Sequence, residues 1–183
     1  MKELKEHLGM WLFLASEVLL FGVLIFLFEV MHLKYPQEFT AGSQELHFLH
    51  GTVNTVILLT SSYLLALGLL KRQRFYLLLA LVLGAAFMGI KGHEYYGLIH
   101  EGKFVLNFGS EITSGKKMFF TFYGFLTMLH MLHVLAGMIL LGGLWWMMKH
   151  KPDEEIEENV GLYWHFVDLV WVFLYPLFYL LGK

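Results

Sequence analysis

The sequence predicts an all-α fold, a polytopic membrane protein built as a five-transmembrane-helix bundle. Composition is the first reason: 57% of the 183 residues are hydrophobic, 17% are aromatic and only 15% are charged. Soluble domains carry about 25% charged residues, and here the charge is missing from long stretches, with mean hydropathy at +0.60. The second reason is the length of those stretches, since a bilayer-crossing helix needs about 20 mostly apolar residues. Other classes fall away. A net charge of −2 offers no basic face for nucleic acid. The lack of cysteine removes disulfides, thiolate nucleophiles and Cys-ligated zinc or iron–sulfur centres.

Taken in order, the apolar runs predict helices over about 8–31, 52–70, 75–98, 118–148 and 160–181, forming one transmembrane domain over 1–183. The first run is too long for a signal peptide, lacks a small-residue cleavage site and holds Glu17, so it reads as a retained helix. The third run has a more polar second half. The fourth is long enough to tilt or to extend beyond the lipid.

Lys and Arg set the expected orientation. An amino terminus in the cytoplasm puts Lys2, Lys5, Lys71, Arg72, Arg74, Lys149 and Lys151 inside. Lys34, Lys103, Lys116, Lys117 and Lys183 then lie outside. Pro152 and the acids Asp153, Glu154, Glu155, Glu157 and Glu158 suit a helix start. The acidic run reads as a solvated face or a partner patch. The stretch with Asn107, Gly109, Ser110 and Gly115 reads as a turn-rich connector.

The ionisable residues inside the spans carry most information, because each costs about 2.5–3.5 kcal/mol to insert. Glu17 falls near the midplane of the first helix, at about 1.5 Å rise per residue. His130 and His133 share one face of the fourth helix by i, i+3 spacing, and His165 and Asp168 repeat that spacing on the fifth. Lys91, His93 and Glu94 form an outer-half polar group on the third helix, and Glu29 lies near the outer end of the first.

Three chemistries fit this set. Imidazoles on two helices could hold a haem or a metal. Glu17, Asp168 and the histidines could relay protons or ions. Alternatively, the groups hydrogen-bond across helices and fix packing, at about 0.6 kcal/mol each. A di-iron site is not indicated, because the Glu-x-x-His pairs it needs are absent from the intramembrane histidine pairs. Trp11, Tyr95, Tyr96, Trp145, Trp146, Tyr163 and Trp164 are expected as an interfacial belt. Gly84, Gly89, Gly137, Gly142 and Gly143 are expected to let helices approach closely.

The run Tyr163-Trp164-His165-Phe166-Val167-Asp168-Leu169-Val170-Trp171-Val172-Phe173-Leu174-Tyr175 closely resembles the terminal signature of subunit III of haem–copper terminal oxidases. Gly9-Met10-Trp11-Leu12-Phe13 with Ser16-Glu17-Val18 resembles that family's helix with a buried glutamate. Val53-Asn54-Thr55, Leu83-Gly84, Glu94-Tyr95, Gly124-Phe125, His130, His133-Val134 and Gly137 follow in family order. Asn54, Trp164 and Trp171 are the signature positions. The chain is similar to the family's five-helix bacterial form, which lacks the first two helices of the long form. Two departures stand out: Lys91 where the family usually has glutamine, and a divergent stretch over 110–117.

The resemblance implies a non-catalytic subunit of a cytochrome c or quinol oxidase in a bacterial plasma membrane, within a complex that reduces oxygen and pumps protons. It implies no cofactor in this chain and haems and copper in partner subunits. The expected partners are catalytic subunit I, subunit II and membrane phospholipid. Glu17 matches the glutamate known to react with carbodiimides, as a neutral acid in lipid does. Glu17, His130, His133, His165 and Asp168 are expected to form one buried polar cluster, with no metal and no catalytic residue. The alternatives are an accessory subunit of a nitric oxide reductase, a haem b membrane anchor of a quinone-linked complex, and a small proton-coupled carrier.

Overall fold

The computed structural model describes residues 2–104, 107–108, 112–149 and 153–181. Pro152, Lys151, Lys183, Gly109 and Ser110, which the sequence reading used, lie outside the described residues. The elements run α1 (Lys2–Lys34), α2 (Pro36–Gln44), α3 (Phe48–Lys71), α4 (Arg74–His100), β1 (Lys103–Phe104), β2 (Asn107–Phe108), α5 (Ser114–Met147) and α6 (Glu154–Tyr179). Helices α1, α3, α4, α5 and α6 are long and apolar enough to cross a membrane.

Two elements were not expected. Pro36 cannot extend α1 and instead opens the short helix α2. Its Phe39 is buried against Phe28 of α1 and Phe119 of α5, at ring-centre distances of 5.1 and 5.6 Å. Ser43 donates a hydrogen bond to the Phe178 carbonyl at 2.6 Å, which ties α2 to the end of α6. The second is the antiparallel pairing of β1 with β2, in a stretch read as plain connector.

At the opposite end, α3 and α4 are joined by a tight turn. Arg72 adopts the left-handed conformation at φ 49°. The amides of Arg72 and Gln73 then reach back to the carbonyls of Leu69 and Gly68, at 3.2 and 3.0 Å. This paired return closes the helix and satisfies carbonyls that would otherwise be stranded. Asp153 is the N-cap of α6, with Glu154, Glu155 and Glu157 in its first turn, where acids favour the positive helix end.

Helix α6 is the most deeply buried of the five long helices. Trp164 is fully buried in a slot between α4 and α5. A Cβ on Gly137 would lie 2.8 Å from the Trp164 ring, and one on Gly84 would lie 3.0 Å from it. These two glycines therefore admit the indole. Gly89, Gly142 and Gly143 face open space, which corrects the expectation that they mediate close approach. The aromatic belt is corrected as well. Tyr163 and Trp164 are core residues, whereas Trp11, Tyr96 and Trp146 are exposed. Trp145 instead lies under the Arg74 guanidinium at 4.4 Å.

Candidate functional site

The structure separates the intramembrane polar residues into distinct stations. The first joins α1 to α5. Leu14, Phe21 and Phe28 recur every seven residues as the buried stripe of α1, and Glu17 sits on that stripe. Its Oε2 lies 3.1 Å from His133 Nε2, with both side chains largely buried. His133 Nδ1 is 2.8 Å from the Leu129 carbonyl, so Nδ1 carries the hydrogen and donates. A neutral ring then offers only a lone pair at Nε2. Glu17 Oε2 makes no hydrogen bond in this geometry, so the contact is a close approach of a carboxyl to a ring nitrogen. Phe21 packs edge-on against His133 at 5.5 Å, and the Tyr163 hydroxyl donates to the His133 carbonyl at 3.2 Å.

His130 does not join that pair. The i, i+3 spacing turns it about 60° round the helix from His133, which carries it into the α4–α6 interior. It is fully buried, stacked on Trp171 at 5.3 Å and edge-on to Phe87 at 5.8 Å. Neither ring nitrogen has a hydrogen-bond partner. His165 lies on the exposed side of α6 and bonds Ser62 of α3. Asp168 is buried near Ser62, with neither carboxylate oxygen hydrogen-bonded. The single five-residue cluster expected from sequence is thus replaced by three separate stations. Glu29 pairs with His32 at 3.4 Å, away from all of them.

The most completely enclosed station is one the sequence identified only in part. Lys91 is fully buried and donates to Glu94 Oε2 at 2.9 Å, Tyr123 at 2.7 Å and Tyr179 at 3.0 Å. Those bonds use all three ammonium donors. The rings of Tyr95, Tyr123, Trp171 and Tyr179 surround the charge, with centres 4.7–5.6 Å from Nζ. Tyr179 in turn lies 2.8 Å from both Glu94 oxygens, and Tyr95 donates to Thr127 at 2.8 Å. His93 was expected here but is exposed and makes none of these bonds. Tyr123 and Tyr179 were missed. The available signal was that a lysine committed to the bundle interior needs acceptors at its own depth on neighbouring helices.

Among the residues expected as signature positions, Trp171 donates to Thr55 Oγ1 at 3.1 Å. Asn54 is fully buried with neither amide atom bonded, and the Trp164 indole nitrogen is likewise unpartnered. Outside the spans, Glu45 bridges Lys116 at 2.6 Å and Lys103 at 3.1 Å, and Lys103 also meets Glu101 at 2.7 Å. Burial pushes the Glu45 carboxyl up, but its bonds to Lys116 and Lys103 outweigh that and hold it below the usual value. The Glu101 bond holds the Lys103 ammonium above its usual value. Among the described residues, no group of three His, Asp or Glu side chains forms a ready metal-binding set.

The bundle thus holds a largely buried Glu–His contact between α1 and α5 and a tryptophan slot between α4 and α5. The family model for cytochrome c oxidase subunit III matches residues 2–183. This chain belongs to that family. It is 31% identical to the cytochrome c oxidase subunit 3 of Thermostichus vulcanus, over 96% of this chain and 87% of that protein. It is 31% identical to the quinol oxidase subunit 3 of Bacillus subtilis, over 96% and 86% respectively. It is 29% identical to the cytochrome bo(3) ubiquinol oxidase subunit 3 of Pseudomonas aeruginosa, over 95% and 84%. A subunit III works in a complex with other oxidase subunits, and its family is a non-catalytic part of haem–copper oxidases. These relatives support the oxidase reading over the nitric oxide reductase, haem b anchor and carrier alternatives.

Proposed function

We propose that this chain packs against catalytic subunit I of a bacterial respiratory haem–copper oxidase and sustains its turnover, with no redox centre or active site of its own. The complex reduces oxygen to water and pumps protons, with the haems and copper in partner subunits. The chain lies in the plasma membrane with its amino terminus in the cytoplasm. The Lys71–Arg74 turn then falls on the inner side, and α2 with the hairpin on the outer side. Subunits I and II and phospholipid are its neighbours.

The observation that carries this reading is the Glu17–His133 pair on α1, the long helix least covered by the rest of the chain. A helix with so much apolar surface needs a cover of lipid or protein, and Glu17 sits on the seam where it meets α5. There it serves as a proton-holding group close to the partner. His130, His165 and Asp168 serve to fix helix packing.

The deciding experiment is a mild-detergent pull-down of the tagged chain, with a haem spectrum, oxygen-uptake assay and mass spectrometry. A large haem–copper subunit with oxygen uptake is the expected company. Nitric oxide reductase subunits, or a colourless solitary chain, would overturn the assignment. Glu17→Gln is expected to assemble normally and to shorten sustained turnover mildly. Complete loss of oxygen reduction in a correctly assembled complex would refute the supporting role.

A further inference from the structure

At the end of the bundle that carries α2 and the hairpin, a cavity of about 70 Å³ opens between the start of α3 and the second half of α4. Carboxylates and imidazoles line it. The carboxylates are already committed: Glu94 to Lys91 and Tyr179, Glu45 to Lys103 and Lys116, and Glu101 to Lys103. The imidazoles of His47, His50 and His93 are not. They meet only through their rings, with centres 5.0 Å apart for His47–His50 and 6.3 Å for His50–His93. His50 Nδ1 is buried with no hydrogen-bond partner. His47 and His93 are exposed, so their rings can turn.

We propose that His47, His50 and His93 bind a divalent transition-metal ion of the Zn²⁺ type, which staples α3 to α4. The donor set argues for that class, because imidazole nitrogen suits zinc and its neighbours better than Mg²⁺ or Ca²⁺. Spacing argues for it too. His47 is the N-cap of α3 and His50 lies in its first turn, with their rings already in contact, while His93 approaches from α4. Two imidazoles on one tetrahedral zinc, at about 2.0–2.1 Å per bond, hold their ring centres about 5 Å apart. The His47–His50 separation already meets that spacing, and a rotation of exposed His93 closes the remainder. Water takes the fourth position.

The test uses the purified oxidase complex, carrying an affinity tag without histidines, titrated with Zn²⁺ alone. Wild type is expected to take up one zinc more than His50→Ala/His93→Ala, and that zinc should show imidazole scattering at its X-ray absorption edge. Its unfolding midpoint should rise with zinc while the variant's does not, the two melting alike in zinc-free buffer. His47→Gln, at an exposed position, repeats the test without disturbing packed residues and should weaken zinc binding at least about tenfold. Equal zinc uptake by wild type and variants, or bound zinc without imidazole scattering, overturns the proposal.

Discussion

The first and last long helices use similar apolar residues and sit in the bundle very differently. Only 17% of the most apolar stretch of α1 is buried within the chain, against 50% for α6. α6 is held by shape, with Trp164 slotted against Gly84 and Gly137 and Phe178 set among Phe28, Phe119 and Tyr123. α1 is held by a narrow stripe and one polar contact at Glu17. Hydropathy measures what a helix can bury, and partner surfaces decide what it does bury. α6 is finished within this chain, whereas α1 needs something else against it.

The contrast can be broken first at the α6 end. Gly137→Leu should abolish assembly of the bundle, because the new side chain would occupy the Trp164 ring; protease resistance of the purified subunit reads this out. Next comes the buried ion pair. Glu94→Ala should destabilise by about 3–5 kcal/mol, since it strands the Lys91 charge. Lys91→Met/Glu94→Met should recover most of that loss, and denaturation in mild detergent measures both. If the single and double variants are equally unstable, the network is held by packing rather than by charge.

Smaller effects are expected at α1. Phe21→Leu should leave the isolated subunit within about 1.5 kcal/mol of wild type yet loosen its retention by the complex, checked by subunit stoichiometry after detergent washing. The smallest concerns the Glu45 clamp, which joins the end of α2 to the hairpin and α5. Glu45 is held below the ordinary carboxylate value, so its stabilisation is complete above the unfolded-state value near 4.5 and fades as pH falls through it. Lys103 is held high, so its share is present below the ordinary lysine value near 10.5 and is lost as pH rises beyond it. The clamp is therefore intact between roughly pH 5 and 10. Glu45→Gln should flatten the acid limb of the melting profile, by under about 1 kcal/mol.

The five spans were legible because a run of apolar residues is a property of the chain alone. Membership of the family was legible for the same reason. Rotation about the helix axis was much less so. His130 and His133 share a face loosely, and about 60° sends one to Trp171 and the other to Glu17. The glycines show the same limit: five looked equivalent, and two meet an indole. α2 and the hairpin escaped because both are too short for periodicity to register. Pro36 was the available marker for α2.

The buried ammonium also constrains how the protein is made. Lys91 enters the membrane with α4, while Tyr179 is more than eighty residues further along the chain. During that interval Glu94, one turn away on the same helix, is the partner that travels with it. Tyr123 arrives with α5, and the enclosure closes when the final turn of α6 is in place. A chain stopped before Tyr179 leaves one of the three ammonium donors of Lys91 without its partner. Full enclosure of the lysine thus depends on completion of the last helix.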